Sequence, residues 1–351
     1  MIGSPDATAA KRPPTWKTRL RWPLRTLVVL GLLELLARQY VARPNRILRH
    51  SSDPDMVYEN TPGTWLGHAK FDIWTAPIYM VLDIINAGAE VKSPAPVGYT
   101  IYKIDEDGCR VSPDVPGHKL SDVIVLGSSQ SFGLFVPHED TVTAMLQRSL
   151  EDRGAQGAQV ASCGVIGHHF MQTLRTAEIV HASKHPKLIA VLVRPWHMLE
   201  QFDYTEVLSP SNPALKVLVD HSSLARIIFY ISRREPNQFK KPLVPGPQLE
   251  ERLERYSRAT SADGTRTVFY LLDDKTSDSA PFDALGEMLK RKGFGVERIW
   301  TPSRGRDYFV DHDQHWNAKG ARLTTDEMLD SVARELALVD AARAAKSAPT
   351  P

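Results

Sequence analysis

A serine at the end of an apolar run and a histidine that follows two carboxylates are the residues of this chain best suited to chemistry together. Val123-Ile124-Val125-Leu126-Gly127-Ser128-Ser129-Gln130-Ser131-Phe132-Gly133 passes from a strand pattern through a small-residue turn into a helix-forming stretch. Far downstream, Asp311-His312-Asp313-Gln314-His315-Trp316-Asn317-Ala318-Lys319-Gly320 sets carboxylates two and four residues before His315. A serine hydroxyl is a poor nucleophile until a base takes its proton, and the base works when a third group orients it. Ser129, His315 and Asp313 are therefore raw material for a hydrolase or acyl-transfer site assembled by folding. The plainer reading makes Ser129 a small residue in a tight turn and Asp313 and His315 polar residues at the start of the last helix. Asp311, His312, Asp313 and His315 could also gather a metal on a loop. No metal and no cofactor is expected, and no Cys/His zinc spacing is present.

Such residues need elements to place them. From Ser121 onward the pattern is regular. Apolar runs over 123–127, 159–164, 188–193, 267–272 and 296–300 are short and rich in Val, Ile and Leu, as strands buried on both faces are. Helical patterns over 141–153, 170–183, 282–292 and 318–338 lie between or after them. Repeated strand–helix alternation predicts an α/β three-layer sandwich around a five-stranded parallel sheet, flavodoxin-like in outline. Right-handed crossovers put the strand C-termini on one edge, where such sheets bind ligands, and Ser129 falls just past the first regular strand. Between about 198 and 262 the alternation breaks at Pro210, Pro213, Pro236, Pro242, Pro245 and Pro247, which reads as an insertion beside that edge. Within it, 222–234 has an amphipathic helical pattern. The proline- and aromatic-rich stretch before residue 117 shows no clean period and is left as an irregular extension.

The totals set bounds. The chain has 351 residues, 42% of them hydrophobic, enough for one large domain or two small ones. Lys and Arg number 43 against 41 Asp and Glu, a formal net charge of +2, so no concentrated basic face for nucleic acid is expected. Cys109 and Cys163 are the two cysteines; one disulfide and two unpaired thiols are both open. At the N-terminus, residues 1–22 read as a disordered basic segment with Lys17, Arg19 and Arg21. Residues 23–41 then read as a signal anchor or transmembrane helix carrying the apolar run 26–37. Glu34 within the run and its shortness against the ~20 residues of a bilayer span count against this. Residues 118–340 form the regular domain, and 341–351 read as a disordered tail.

Three blocks of the chain resemble the SGNH/GDSL hydrolase superfamily. Gly127-Ser128-Ser129-Gln130-Ser131-Phe132-Gly133 is similar to the first block, Ser162-Cys163-Gly164-Val165-Ile166-Gly167 to the second, and Asp313-Gln314-His315 with Asn317 and Gly320 to the last. Asp107-Gly108-Cys109-Arg110, His185-Pro186 and the N-terminal run with Glu34 and Arg38 resemble the membrane-anchored bacterial branch. The resemblance implies Ser129 as nucleophile, His315 as base and Asp313 as its orienting carboxylate. It implies an oxyanion hole from the backbone N–H groups of Ser129 and Gly164. Two departures stand out. Ser128 occupies the place of the usual Asp, where its hydroxyl could cap the following helix. The third block's Asn is absent, with Trp196 or His197 in its place after Leu192-Val193-Arg194-Pro195. His197 could serve as the missing oxyanion donor, and Arg194 or Trp196 could bind substrate, Arg194 an anionic one. The implied activity is serine-dependent hydrolysis or transfer of an acyl ester outside the cytoplasm, on an acylated carbohydrate. The rival is a degenerate SGNH-like binding or scaffold protein of the cell envelope. A P-loop reading fails, because the Gly127 turn lacks the Gly-Lys-Ser/Thr ending.

Overall fold

Short Val/Ile/Leu runs become strands, and what each contributes depends on what covers its two faces. The structure is a computed structural model. It describes residues 16–40, 63–71, 80–86, 99–112, 121–155, 157–194, 212–222, 224–225, 228, 246–273, 280–301, 307–309 and 315–347. The chain opens with α1 (Trp16–Tyr40), then β1 (Gly63–Phe71), β2 (Met80–Asn86), β3 (Thr100–Ile104) and β4 (Arg110–Val111). The regular part follows: β5 (Val123–Leu126), α2 (Ser129–Phe132), α3 (Val142–Asp152), β6 (Val160–Ser162), α4 (Phe170–Lys184) and β7 (Leu188–Val193). Next come α5 (Pro213–His221), α6 (Pro247–Asp263), β8 (Arg266–Asp273), α7 (Ala280–Arg291), β9 (Gly295–Trp300) and α8 (Ala318–Ser347).

The nine strands among the described residues join one sheet, in the order β2-β1-β3-β4-β6-β5-β7-β8-β9. The expected five-stranded parallel sheet is corrected here. β6, β5, β7, β8 and β9 do run parallel, but β4 pairs antiparallel with β6, and β3, β1 and β2 continue the sheet antiparallel. The extension without a sequence period thus supplies four strands. β5 is central: the chain leaves it for β6 on one side and returns to β7 on the other. That is a topological switch point, where the loops after neighbouring strands part and leave a crevice.

Side-chain alternation along the strands divides the core between the two faces. Ile124, Leu126, Ile189, Val191, Phe269 and Leu271 face α4, α6 and α7, meeting Leu174, Leu253, Leu285 and Leu289. Val123, Val125, Ala190, Leu192, Val268 and Tyr270 face α3 and α8, meeting Leu146, Leu150, Met328 and Val332. α6 is the crossover helix between β7 and β8 and buries Leu249, Leu253 and Tyr256, so this end of the stretch read as an insertion belongs to the core. A third cluster, with Trp65, Tyr102, Ile104, Phe132, Leu134 and Val165, welds the N-terminal strands to the segment after β5.

The reading of 23–41 as a transmembrane helix is corrected. α1 is a helix, but among the described residues no helix is long and apolar enough to cross a membrane. Glu34, which interrupts its apolar run, has a structural use: its carboxylate accepts from Ser222 Oγ (2.8 Å) and from the backbone N–H of Leu224 (3.0 Å).

Candidate active site

The serine block is built on a turn that glycine alone suits. Gly127 has φ +146°, and a β-carbon there would lie 2.9 Å from both Leu192 O and Ser131 Oγ. The left-handed half of the Ramachandran map is accessible to glycine at low cost, so β5 can turn at once into α2. Ser129 is the first residue of α2 and is buried. Its hydroxyl donates to Gln130 Oε1 at 3.3 Å, and Ser128 Oγ donates to the same oxygen at 2.9 Å. The expectation that Ser128 caps this helix is therefore corrected: its hydroxyl makes no cap bond, because Gln130 draws it away. Ser131 Oγ closes the turn by donating to Ser128 O at 2.7 Å.

The second block is pressed against this turn. Ser162 Oγ donates to Ser131 O at 2.6 Å, pinning the end of β6 to α2. Gly164, two residues on, packs so closely that a β-carbon would fall 2.1 Å from Ser131 Oγ, 2.9 Å from Phe132 N and 3.0 Å from Ser128 O. This close approach is the physical reason for glycine at 164, and it sets the residue beside the serine turn. Cys163 is bonded to Cys109 in a disulfide across 54 residues, joining the N-terminal strands to this spot. His168 and His169 are buried. His168 Nδ1 meets Thr176 Oγ1 at 3.4 Å, and the His169 N–H donates to Gln172 Oε1 at 3.3 Å at the start of α4.

The histidine block reaches the same place. Asn317 anchors it: its Oδ1 accepts from the N–H groups of Lys319 (2.9 Å) and Gly320 (3.1 Å), capping α8. Its Nδ2 donates to the carbonyls of Asp307 (3.0 Å) and Phe309 (3.1 Å). Trp316, buried, lines one pocket together with Ser129, Gln130, Leu134 and Val136. His315 is half-buried, and its ring meets Phe135 edge-on, with centroids 5.4 Å apart and planes at 81°. Arg194, buried just past β7, places its guanidinium carbon 5.9 Å from the Trp316 ring centroid. Ser129, Gly164, Arg194, His315 and Trp316 are thus gathered at the parallel strands' C-terminal edge. Asp311, His312 and Asp313 lie outside the described residues, as do Trp196 and His197. Among the described residues no group of acidic, His or Cys side chains could hold a metal ion.

Sequence reasoning missed the residues that tie this edge to the N-terminal strands. Arg110 is fully buried, and it and Tyr102 both bond to the loop after α2. Burial lowers the Arg110 guanidinium to about 10, with the nearby Tyr102 and Glu139 opposing, so it remains a cation at neutral pH. The Asp107-Gly108-Cys109-Arg110 run was a visible signal, but its target 22 residues downstream could not be read from it.

No family model matches the sequence, and no curated protein matches it either. Solved structures do. A psychrotrophic esterase from Pseudoalteromonas sp. is 13% identical, with 62% of this chain and 99% of that one covered at a TM-score of 0.38. A lipolytic protein of the G-D-S-L family from Desulfitobacterium hafniense is 11% identical, with 61% and 98% covered at 0.36. A family two carbohydrate esterase from Cellvibrio japonicus is 10% identical, with 84% and 97% covered at 0.38. The reading of the site rests on this chain's own residues; among solved structures, what it is similar to are esterases and lipolytic proteins, GDSL proteins among them.

Proposed function

We propose that this chain is a serine-dependent acyl-ester hydrolase or O-acyltransferase of the SGNH kind, working outside the cytoplasm on an acylated carbohydrate. The observation that carries the chemistry is the meeting of the two distant blocks: Trp316 shares a pocket with Ser129, and His315 packs on Phe135, six residues past Ser129. Gly164 against the serine turn supports an oxyanion site there. In the reaction, His315 takes the Ser129 hydroxyl proton as Oγ attacks the ester carbonyl. The oxyanion collapses, the C–O bond to the alcohol breaks, and His315 returns the proton to that alcohol. Water, or a sugar hydroxyl, then attacks the acyl-enzyme by the same route and frees Ser129. Asp313 is the proposed orienting carboxylate, and His197 a third donor to the oxyanion. The Cys109–Cys163 disulfide supports the extracytoplasmic location, since such bonds persist in oxidising compartments. The carbohydrate follows from the resemblance to the membrane-anchored bacterial branch.

One observation favours the rival reading, a degenerate binding protein: the Ser129 hydroxyl is directed to the Gln130 carboxamide oxygen. A fluorophosphonate probe separates the two, because it labels a serine only when its hydroxyl is activated. Covalent labelling of the purified chain, lost in Ser129→Ala, is the expected outcome. An unlabelled, folded wild-type chain would leave the binding protein as the reading.

A further inference from the structure

The loop leaving α2, residues 132–136, is held by two side chains from the N-terminal strands. The Arg110 guanidinium donates to the carbonyls of Phe132 (3.0 Å), Gly133 and Val136 (2.8 Å). The same guanidinium lies over the Tyr102 ring, 4.7 Å from its centroid. Tyr102 in turn accepts the N–H of Phe135 on its phenol oxygen at 3.0 Å. A planar, permanently charged fork is suited to hold several carbonyls at once, where an ammonium would hold fewer.

This grip falls on a strained residue. Phe135 has φ +67°, in the left-handed region that a β-carbon disfavours. Such conformations persist only where the surroundings over-determine them, and they cluster at functional sites. What the strain achieves here is visible: the Phe135 ring stands edge-on against His315. A general base must face the proton it removes, and an imidazole free to swing about its side-chain bonds is in place only part of the time.

We infer that Phe135, locked by Tyr102 and Arg110, is a positioning residue for His315, so that the N-terminal strands complete a site they do not themselves enter. The inference rests on His315 being the base of the proposed reaction. It goes beyond that reading in making β3 and β4 part of the enzyme's working unit. Phe135 touches no reacting atom; it fences one side of the imidazole.

Phe135→Leu tests this with little confusion, because leucine carries the same backbone strain and a comparable apolar bulk but no ring edge. Phe135→Tyr keeps the ring, and Tyr102→Phe removes only the oxygen that accepts the Phe135 N–H. The variants are compared for thermal midpoint, for the rate of Ser129 labelling by a fluorophosphonate, and for kcat and KM on a small acetyl ester. The His315 ring signals are followed by NMR. In Phe135→Leu the labelling rate and kcat should fall about tenfold with KM nearly unchanged, as expected when a base is misplaced by a fraction of an ångström. Phe135→Tyr should restore both, Tyr102→Phe should fall between, and all should melt close to the wild type. Wild-type labelling and kcat in Phe135→Leu would overturn the inference. So would losses that track the melting temperature equally in the Leu and Tyr variants. Should the wild type itself fail to label, the proposed reaction is lost, and the NMR signals decide this point separately. His315 ring signals that shift in Phe135→Leu but not in Phe135→Tyr sustain the positioning role; unshifted signals end it.

Discussion

Ser129, Gln130 and Gly164 show how little room a serine site leaves for substitution. Gln130 accepts from the hydroxyls of both Ser128 and Ser129, so it sets where the Ser129 proton points in the resting chain. An activating histidine would have to draw that proton from the carboxamide, a small rotation about one side-chain bond. Gly164 is more constrained still, since even a methyl group would collide with Ser131 Oγ and with two backbone atoms of the serine turn. Gly164→Ala should therefore destabilise the fold by roughly 1–3 kcal/mol, as overpacking does, and should depress Ser129 labelling more than the lost stability explains. Denaturant unfolding beside labelling rates measures both. A Gly164→Ala chain with unchanged stability and unchanged labelling would mean that the approach is looser than the geometry shows.

At the scale of elements, the N-terminal strands matter more than their sequence suggests. β4 is only two residues long, yet it extends the parallel block, donates Arg110 to the loop after α2 and follows directly on the disulfide to Cys163. That disulfide closes a long loop, and restricting the unfolded chain in this way contributes about 4 kcal/mol by chain-entropy reckoning. Replacing Cys109 and Cys163 by serine should lower the unfolding free energy by an amount of that order. It should also slow Ser129 labelling, because Gly164 adjoins Cys163 and would lose its tether. If the double variant unfolds at the same denaturant concentration as the oxidised chain, the bond is dispensable to both fold and site. α1 is held in another way, with Glu34 accepting two hydrogen bonds from residues 222–224. Glu34→Leu should make α1 more apolar and yet loosen it, detectable as faster amide exchange along the helix.

For the whole molecule, one mixed sheet joins the regular α/β half and the N-terminal strands into a continuous core. The proposed site lies where the order β6-β5-β7 makes neighbouring loops diverge. An oxidised Cys109–Cys163 pair this close to the site predicts that the domain matures outside the cytoplasm. A C-terminal reporter that matures only after export should be active. Activity confined to a reporter that needs the cytoplasm would contradict the location and leave the disulfide without a compartment.

The regular half was legible in the residues themselves. Runs such as Leu188–Val193 are buried on both faces whatever their neighbours, so composition alone marks them as strands. Ser129 at a strand end and His315 before a capped helix are likewise local facts, set by Gly127 and Asn317. What the chain could not disclose is everything that depends on who lies beside whom. β1 to β4 pair antiparallel with partners that their own residues do not name, and burial of Trp65, Tyr102 and Ile104 comes from the third cluster. The choice between one disulfide and two thiols and the grip of Arg110 on residues 132–136 were decided only in three dimensions. Each joins atoms whose separation is set by sheet order and loop path, and no short stretch of sequence contains either.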